Sequence, residues 1–239
     1  MSGTNLFVSN YSGNTVSEYT ITGTVVNSSL ISLSEPLALT ASGGNLFVAN
    51  TTGTPSVVSA QVGVYTTSGG TVATTLFSGL DQPLGMAISG TNVFVANYFS
   101  GTVGEYTTSG ATINASLITG LSNPIGIAVS GSDIYVSNST GGTVGEYTLT
   151  GSTVNASLIS GFNQPSGLAI WNSILYVADG GANTIGEYTL TGGTINSSLI
   201  TGLNGPLDIL VVPEPSSWVL LLTGFGMAAF LRLGVRRSR

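Results

Sequence analysis

Hydrophobic and polar residues alternate along most of this chain in short bursts. Residues 124–164 show the pattern well: PIGIAVS, DIYVSN, TVGEYT and TVNASLIS, joined by clusters of Gly, Ser, Asn and Thr. Alternation with a period of two places successive side chains on opposite faces of an extended strand. The joining clusters supply left-handed φ angles and local side-chain hydrogen bonds. The pattern predicts four strands: a (Ile125–Val129), b (Asp133–Ser137), c (Thr143–Thr148) and d (Thr153–Ile159). No sustained 3.6-residue period competes with them, so helix is not expected here.

The same four-strand unit recurs. Tyr stands at 19, 65, 106, 147 and 188, and Pro at 36, 83, 124, 165 and 206. Asn10, Asn50, Asn97, Asn138 and Asp179 keep the same step, about 41 residues. Four strands repeating every ~40–45 residues predict an all-β chain, a β-propeller of at least five four-stranded blades. The second unit carries about six extra residues near Thr51–Gln61, and Val64 replaces the usual Glu. A longer b–c loop is expected there, because loops tolerate changes of length.

PIGIAV at 124–129, ILYVAD at 174–179 and TIGEYT at 184–189 resemble the blades of NHL-repeat propellers. The resemblance covers residues 1–212 and implies an NHL-like propeller domain over that range. The basic residue common before the third strand of that family is missing from all five units. Some NHL-like propellers are lyases or lactone hydrolases. The lyases rely on His, which this chain lacks, and Asp208 is the sole acid in its a-type strands. No catalytic residue is assigned, and the expectation is that the chain is not an enzyme. The alternatives are a secreted propeller enzyme (a lyase, or a lactone or polysaccharide hydrolase) and a permanently anchored sensor ectodomain.

Residues 2–5 match Ser89–Asn92, the turn between strands a and b, whereas Pro206–Val211 reads as a strand a. Two readings fit. Either the late strand joins the early b, c and d strands and closes a five-bladed ring, or further blades lie upstream.

Composition narrows the chemistry. Only 6% of the residues are charged, and Cys and His are both absent. Thiolate and imidazole metal sites and Ser–His or Cys–His nucleophiles are therefore excluded, and no metal or cofactor is expected. The four positive charges, Arg232, Arg236, Arg237 and Arg239, all lie at the C-terminus. The preceding body has nothing to neutralise phosphates, so nucleic acid is not an expected partner.

After Val212 the pattern breaks. Trp218–Leu231 is a stretch without charge, and residues 216–235, mostly apolar, carry the single charge of Arg232. At 1.5 Å per residue a helix of that length spans ~30 Å, one hydrocarbon core. Trp218 suits the interface at one end, and the Arg cluster favours the cytoplasmic side at the other. This predicts a C-terminal transmembrane helix with the propeller outside the cytoplasm. The order Pro213-Glu214-Pro215, apolar helix, Arg-rich end resembles the PEP-CTERM sorting signal of Gram-negative bacteria. That resemblance implies a 213–239 sorting segment recognised by an exosortase through Pro213, Glu214 and Pro215. It further implies an exported protein, held transiently in the inner membrane and then passed to the cell surface or extracellular matrix, in association with exopolysaccharide.

In propeller geometry the b–c and d–a loops share one face. Tyr11, Glu35, Asp81, Tyr98, Phe99 and Asp179 fall in those loops and form the candidate ligand-binding face, because aromatics beside carboxylates and amides suit sugars. Glu18, Glu105, Glu146 and Glu187 repeat on strand c and are expected to be solvated. The recurring tyrosines are expected to pack between blades. The Asn-x-Ser/Thr sequons at Asn10, Asn27, Asn50, Asn114, Asn138, Asn155 and Asn196 are expected to mark turns at strand ends. The functional expectation is a structural or adhesive scaffold of the surface or matrix.

Overall fold

Pairing of short alternating strands builds five antiparallel sheets in the computed structural model. It describes residues 5–20, 23–54 and 57–209. Blade 1 holds β1 (Asn5–Asn10), β2 (Thr15–Thr20) and β3 (Val25–Ser32). Blade 2 holds β4 (Pro36–Ser42), β5 (Asn45–Thr54), β6 (Val57–Thr66) and β7 (Thr71–Leu80). Blade 3 holds β8 (Pro83–Ser89), β9 (Asn92–Asn97), β10 (Thr102–Thr107) and β11 (Thr112–Ile118). Blade 4 holds β12 (Pro124–Ser130), β13 (Asp133–Asn138), β14 (Thr143–Thr148) and β15 (Thr153–Ser160). Blade 5 holds β16 (Pro165–Trp171), β17 (Ile174–Asp179), β18 (Thr184–Thr189) and β19 (Thr194–Ile200). Each sheet is a meander in chain order, and the architecture is a five-bladed β-propeller. Residues 1–209 form one unit; the second, 210–239, lies outside the described residues.

The first strands β4, β8, β12 and β16 lie side by side as the innermost strands. Their close approach explains a recurring glycine. A Cβ on Gly85 would run into the Ile125 carbonyl oxygen, and one on Gly126 into that of Ser166. Ser137, on β13, binds both layers: its Oγ accepts from the Gly126 amide at 2.7 Å and donates to the Ser166 carbonyl at 2.5 Å.

Apolar cores lie between neighbouring blades, and each repeats one set of positions. Between blades 4 and 5, Tyr135, Val144 and Ile159 meet Leu175, Val177 and Tyr188. Between blades 1 and 2, Val16 and Ile31 meet Leu46, Val48 and Tyr65. Burying one such side chain is worth roughly 1.5–3 kcal/mol, so face-to-face packing of whole sheets is the main source of stability. Tyr65, Tyr106, Tyr147 and Tyr188 are all buried in these cores.

Two sequence expectations are corrected. The extra residues of blade 2 do not form a loop. They lengthen the β5–β6 hairpin, with Thr51 opposite Ala60 and Thr54 opposite Val57. Residues rich in Thr and Val keep pairing rather than turning. The strand-c glutamates are not solvated as a set. Glu18 and Glu105 are buried, and each accepts a hydrogen bond from the amide of the Asn that opens strand b: Asn5 Nδ2 at 2.5 Å and Asn92 Nδ2 at 2.7 Å. Glu146 accepts from the Tyr135 hydroxyl at 3.3 Å. A polar partner across the strand pair lets a carboxylate sit inside.

The sequons of the outer strands are also placed differently. Asn27, Asn114, Asn155 and Asn196 lie within β3, β11, β15 and β19, not at their ends. Each side-chain oxygen accepts the amide two residues on, at 3.0–3.1 Å, where the register with strand c slips.

Candidate functional site

Each connection from one blade to the next ends on the Pro that opens an inner strand, and the segment after blade 5 reaches Pro206 in the same way. The residue before it is left-handed every time: Glu35 (φ 43°), Gln82 (50°), Asn123 (53°), Gln164 (63°) and Gly205 (58°). Four of these are not glycine, although left-handed backbone costs an ordinary L-residue roughly 1–2 kcal/mol. Hydrogen bonds to b–c loops hold them there. Tyr98 donates its amide to the Gln82 carbonyl, Ser139 to Asn123 and Gly180 to Gln164, each at 3.1 Å. The b–c loop of the preceding blade grips the same connection, as when Leu121 donates to the Gly101 carbonyl at 3.0 Å and Phe162 to Gly142 at 3.2 Å. The b–c and d–a loops therefore interlock on one face.

On that face lies an open cavity of about 370 Å³, walled by Tyr98 of blade 3, Ser139 and Thr140 of the blade 4 b–c loop, and Phe162, Asn163 and Gln164 before β16. Its lining holds two aromatic residues, Tyr98 and Phe162, with hydroxyls and amides, and no charged side chain. Tyr98 is half-buried and stands edge-on to Phe99, with ring centroids 5.2 Å apart and planes at 72°. Phe99 is 67% exposed. Asn123 steadies the aromatic loop, donating from Nδ2 to the Tyr98 carbonyl at 3.2 Å, while its Oδ1 accepts from the Thr140 hydroxyl at 2.6 Å. Such a surface can stack on a flat apolar face and hydrogen-bond the hydroxyls at its rim.

The six candidate residues do not converge. Tyr98 lines the cavity, with Phe99 beside it. Tyr11 is an exposed aromatic in the blade 1 b–c turn. Glu35 is exposed on the same face, and its carboxylate accepts from the Thr51 hydroxyl. Asp81 is exposed, its amide donating to Asn97 Oδ1 at 3.2 Å. Asp179 is not displayed as expected. It is buried, and its carboxylate accepts the amides of Asn163 (2.9 and 3.0 Å) and Ala182 (3.3 Å). It anchors the cavity wall from behind and lines a separate cleft of about 280 Å³ between blades 4 and 5, where Phe162 meets Tyr188 edge-on.

Asn163, Gln164, Asn123 and Thr140 belong to this site and were not singled out from sequence. The signal available was the polar residue before each repeated Pro. Asp208, in the last a-type segment, is crowded by protein atoms although part of its surface meets solvent. That desolvation raises its carboxyl above the usual range, partly offset by the Ile209 amide. Among the described residues no three His, Cys, Asp or Glu side chains are grouped to hold a metal, and no helix is long and apolar enough to cross a membrane. Pro213, Glu214 and Pro215, expected from sequence to form a sorting motif, and Trp218, Arg232, Arg236, Arg237 and Arg239, expected to set membrane topology, lie outside the described residues.

No protein-family model matches this chain, and no curated protein does. Solved structures do. A nidogen/laminin complex matches with TM-score 0.75 at 16% identity, over 89% of this chain and 83% of that one. A catalytically inactive variant of virginiamycin B lyase from Staphylococcus aureus, with quinupristin, matches with TM-score 0.67 at 17% identity, over 87% and 71%. A streptogramin B lyase matches with TM-score 0.61 at 16% identity, over 87% and 84%. The expectation that the chain is not an enzyme is overturned as a deduction from the fold and its missing His, since lyases stand among the structures it resembles. Identities this low carry the fold and assign neither an activity nor its absence. By structure and by comparison alike, the chain is a β-propeller.

Proposed function

We propose that this chain is an exported surface or matrix protein whose interlocked loop face binds polysaccharide. The observation that carries the reading is the cavity between Tyr98 and the Asn163–Gln164 corner, with Phe99 exposed beside it. A pyranose ring presents a C–H face to an aromatic ring and hydroxyls to amides, and this wall offers both kinds of contact. Its uncharged lining suits a neutral sugar. The absence of any basic side chain before Arg232 disfavours strongly anionic polymers. The sorting part of the proposal rests on the order of Pro213-Glu214-Pro215, an apolar run and terminal arginines. An exosortase would be the processing partner, and the membrane a transient location.

Retention on extracted, immobilised exopolysaccharide tests the binding. Tyr98→Ala and Phe99→Ala are each expected to weaken retention about tenfold, in line with the loss of one stacking contact. Retention of the native chain no better than a control propeller would end this reading. Unsaturated or newly reducing ends, measured in the same incubation, report turnover as well as binding. Mass spectrometry of surface material tests the sorting: a C-terminus near the PEP motif is expected, and an intact Arg239 contradicts it.

A further inference from the structure

Asp179 differs from its counterparts by a charge. The same position in blades 1 to 4 is Asn10, Asn50, Asn97 and Asn138. Asn97 and Asn138 each donate from Nδ2 to a hydroxyl on the next strand, Thr102 Oγ1 and Thr143 Oγ1, both at 3.3 Å. Asn97 also accepts the Asp81 amide on its Oδ1 at 3.2 Å. A neutral amide is thus enough to anchor a blade connection. Asp179 keeps the accepting role, toward the amides of Asn163 and Ala182. As a carboxylate it has no proton to donate, so it cannot satisfy the matching oxygen of Thr184. Asp179 and Thr184 both line the cleft of about 280 Å³ between blades 4 and 5.

The charge sits deep. Asp179 is 7% exposed, and no basic side chain precedes Arg232 in the chain. An ionised carboxylate has about four acceptor sites, and two backbone amides fill only part of them. Burial raises the Tyr188 hydroxyl above its ordinary range, and the Asp179 charge raises it further, which sets that charge near the hydroxyl end of the ring. Phe162 and Tyr188, edge-on at 5.4 Å, make the apolar part of the lining, and Ser160 and Ser198 add hydroxyls. A protonated amine fits this set. Its N–H donors need acceptors, which one carboxylate and several hydroxyl oxygens supply, and aromatic rings attract a cation. A metal ion fits less well, since no three His, Cys, Asp or Glu side chains are grouped among the described residues. A lysine side chain would bring a four-carbon apolar stem to a wall of hydroxyls, whereas a sugar brings hydroxyls of its own.

We propose that this cleft binds an amino sugar, with the protonated amine on the Asp179 carboxylate and ring hydroxyls on Ser160, Thr184 and Ser198. The inference rests on the polysaccharide reading and names one residue of the polymer. Phe162 lines both this cleft and the cavity beside Tyr98, so the two adjoin. One polymer chain then places a neutral sugar at Tyr98 and an amino sugar at Asp179. The single buried charge makes the second position selective: an N-acetylated sugar carries no cation to meet it, and leaves the carboxylate without a counter-charge.

Titration calorimetry of the full chain with a glucosamine trisaccharide and its N-acetylated counterpart tests this. At about pH 6 the amine form is expected to bind about tenfold more tightly, and the preference to fade toward about pH 9 as the amine loses its proton. Asp179→Asn installs the residue that the other blades carry at this position. It should lower affinity for the amine form about tenfold and leave the N-acetylated form unchanged. Asp133→Asn removes an equal charge at the start of β13, outside the cleft lining, and should leave the preference intact. Equal affinities in the native chain, or equal losses in Asp179→Asn and Asp133→Asn, overturn the proposal, the latter because it shows only the general attraction of an acidic protein. Calcium chloride bound more tightly than the amine and lost in Asp179→Asn would make the cleft a metal site and also overturn it. So would acetyl-lysine-amide, blocked at its α-amine, binding as tightly as the amino sugar. Retention on exopolysaccharide that depends on Tyr98, without any preference for the amine, would leave the polysaccharide reading standing and end this inference alone.

Discussion

Phe77 of blade 2 lies flat on Tyr106 of blade 3, with ring centroids 4.1 Å apart and planes 4° apart. Both residues are nearly sealed from solvent. The stack joins the outer strand of one blade to the third strand of the next, so it reports on the interface rather than on either sheet. Tyr106→Ala is expected to destabilise the propeller by about 3–5 kcal/mol, the range for deleting a buried aromatic. Tyr106→Phe keeps the ring and should cost far less. Urea midpoints at constant m-value check both. A Tyr106→Ala loss below that of an ordinary surface substitution would show that the interface is not where stability resides.

Inner strands meet backbone to backbone. A methyl group at Gly126 has to share space with the Ser166 carbonyl, which cannot swing away as a side chain would. Gly126→Ala is therefore expected to cost about 1–3 kcal/mol from overpacking. The substitution also crowds Ser137 Oγ, which would lie 3.0 Å from the new methyl carbon and which links β12 to β16. Thermal unfolding of Gly126→Ala beside Ser137→Ala separates the two effects, since Ser137→Ala loses the hydrogen bonds and leaves the contact distance alone. A Gly126→Ala protein as stable as the native one would mean that the inner strands can part freely.

Burial pushes tyrosine hydroxyls up at Tyr65, Tyr106, Tyr147 and Tyr188. At Tyr135, burial, the charges of Glu146 and Asp133, and the bond to Glu146 push it to about 12. An unfolded tyrosine ionises near 10. The folded state holds its proton longer, so this contribution to stability is complete below about pH 10 and is lost as pH rises toward 12. Denaturant midpoints from pH 8 to 12 should fall steeply above 10. Tyr135→Phe, which removes one of these protons, should flatten the fall. An unaltered slope would mean that Tyr135 ionises in the folded state as readily as in the unfolded one.

The propeller was legible because its signal is periodic. Tyr106 could be placed between blades from its recurrence alone, and the limits of β14 were read to the residue. What depends on a neighbour in space was not legible. Glu105 looks like any solvated strand acid until Asn92 is seen beside it. Asp179 looks like a loop carboxylate until the Asn163 amide is seen pointing at it. Gln164 escaped because a residue before Pro usually prefers extended backbone, whereas here the b–c loop holds it left-handed. The cavity is assembled from three blades, and no stretch of sequence contains it.

The outer strands face the opposite problem, because each is the edge of its sheet. β15 blunts its edge with a slip in register between Glu146 and Tyr147, near Asn155, whose Oδ1 accepts the Ser157 amide at 3.1 Å. The same bond recurs in β3, β11 and β19. Irregular, twisted edges resist pairing with other chains. Val154 is more than half exposed beside this irregularity, so a straightened edge would offer apolar surface as well as free backbone groups. Asn155→Ala should lower stability by about 1 kcal/mol for the lost hydrogen bond and should raise the rate of aggregation well beyond what that small loss accounts for. Light scattering during incubation, set against a variant of equal stability altered inside a core, separates the two. Equal aggregation in both variants would assign the bond to stability alone.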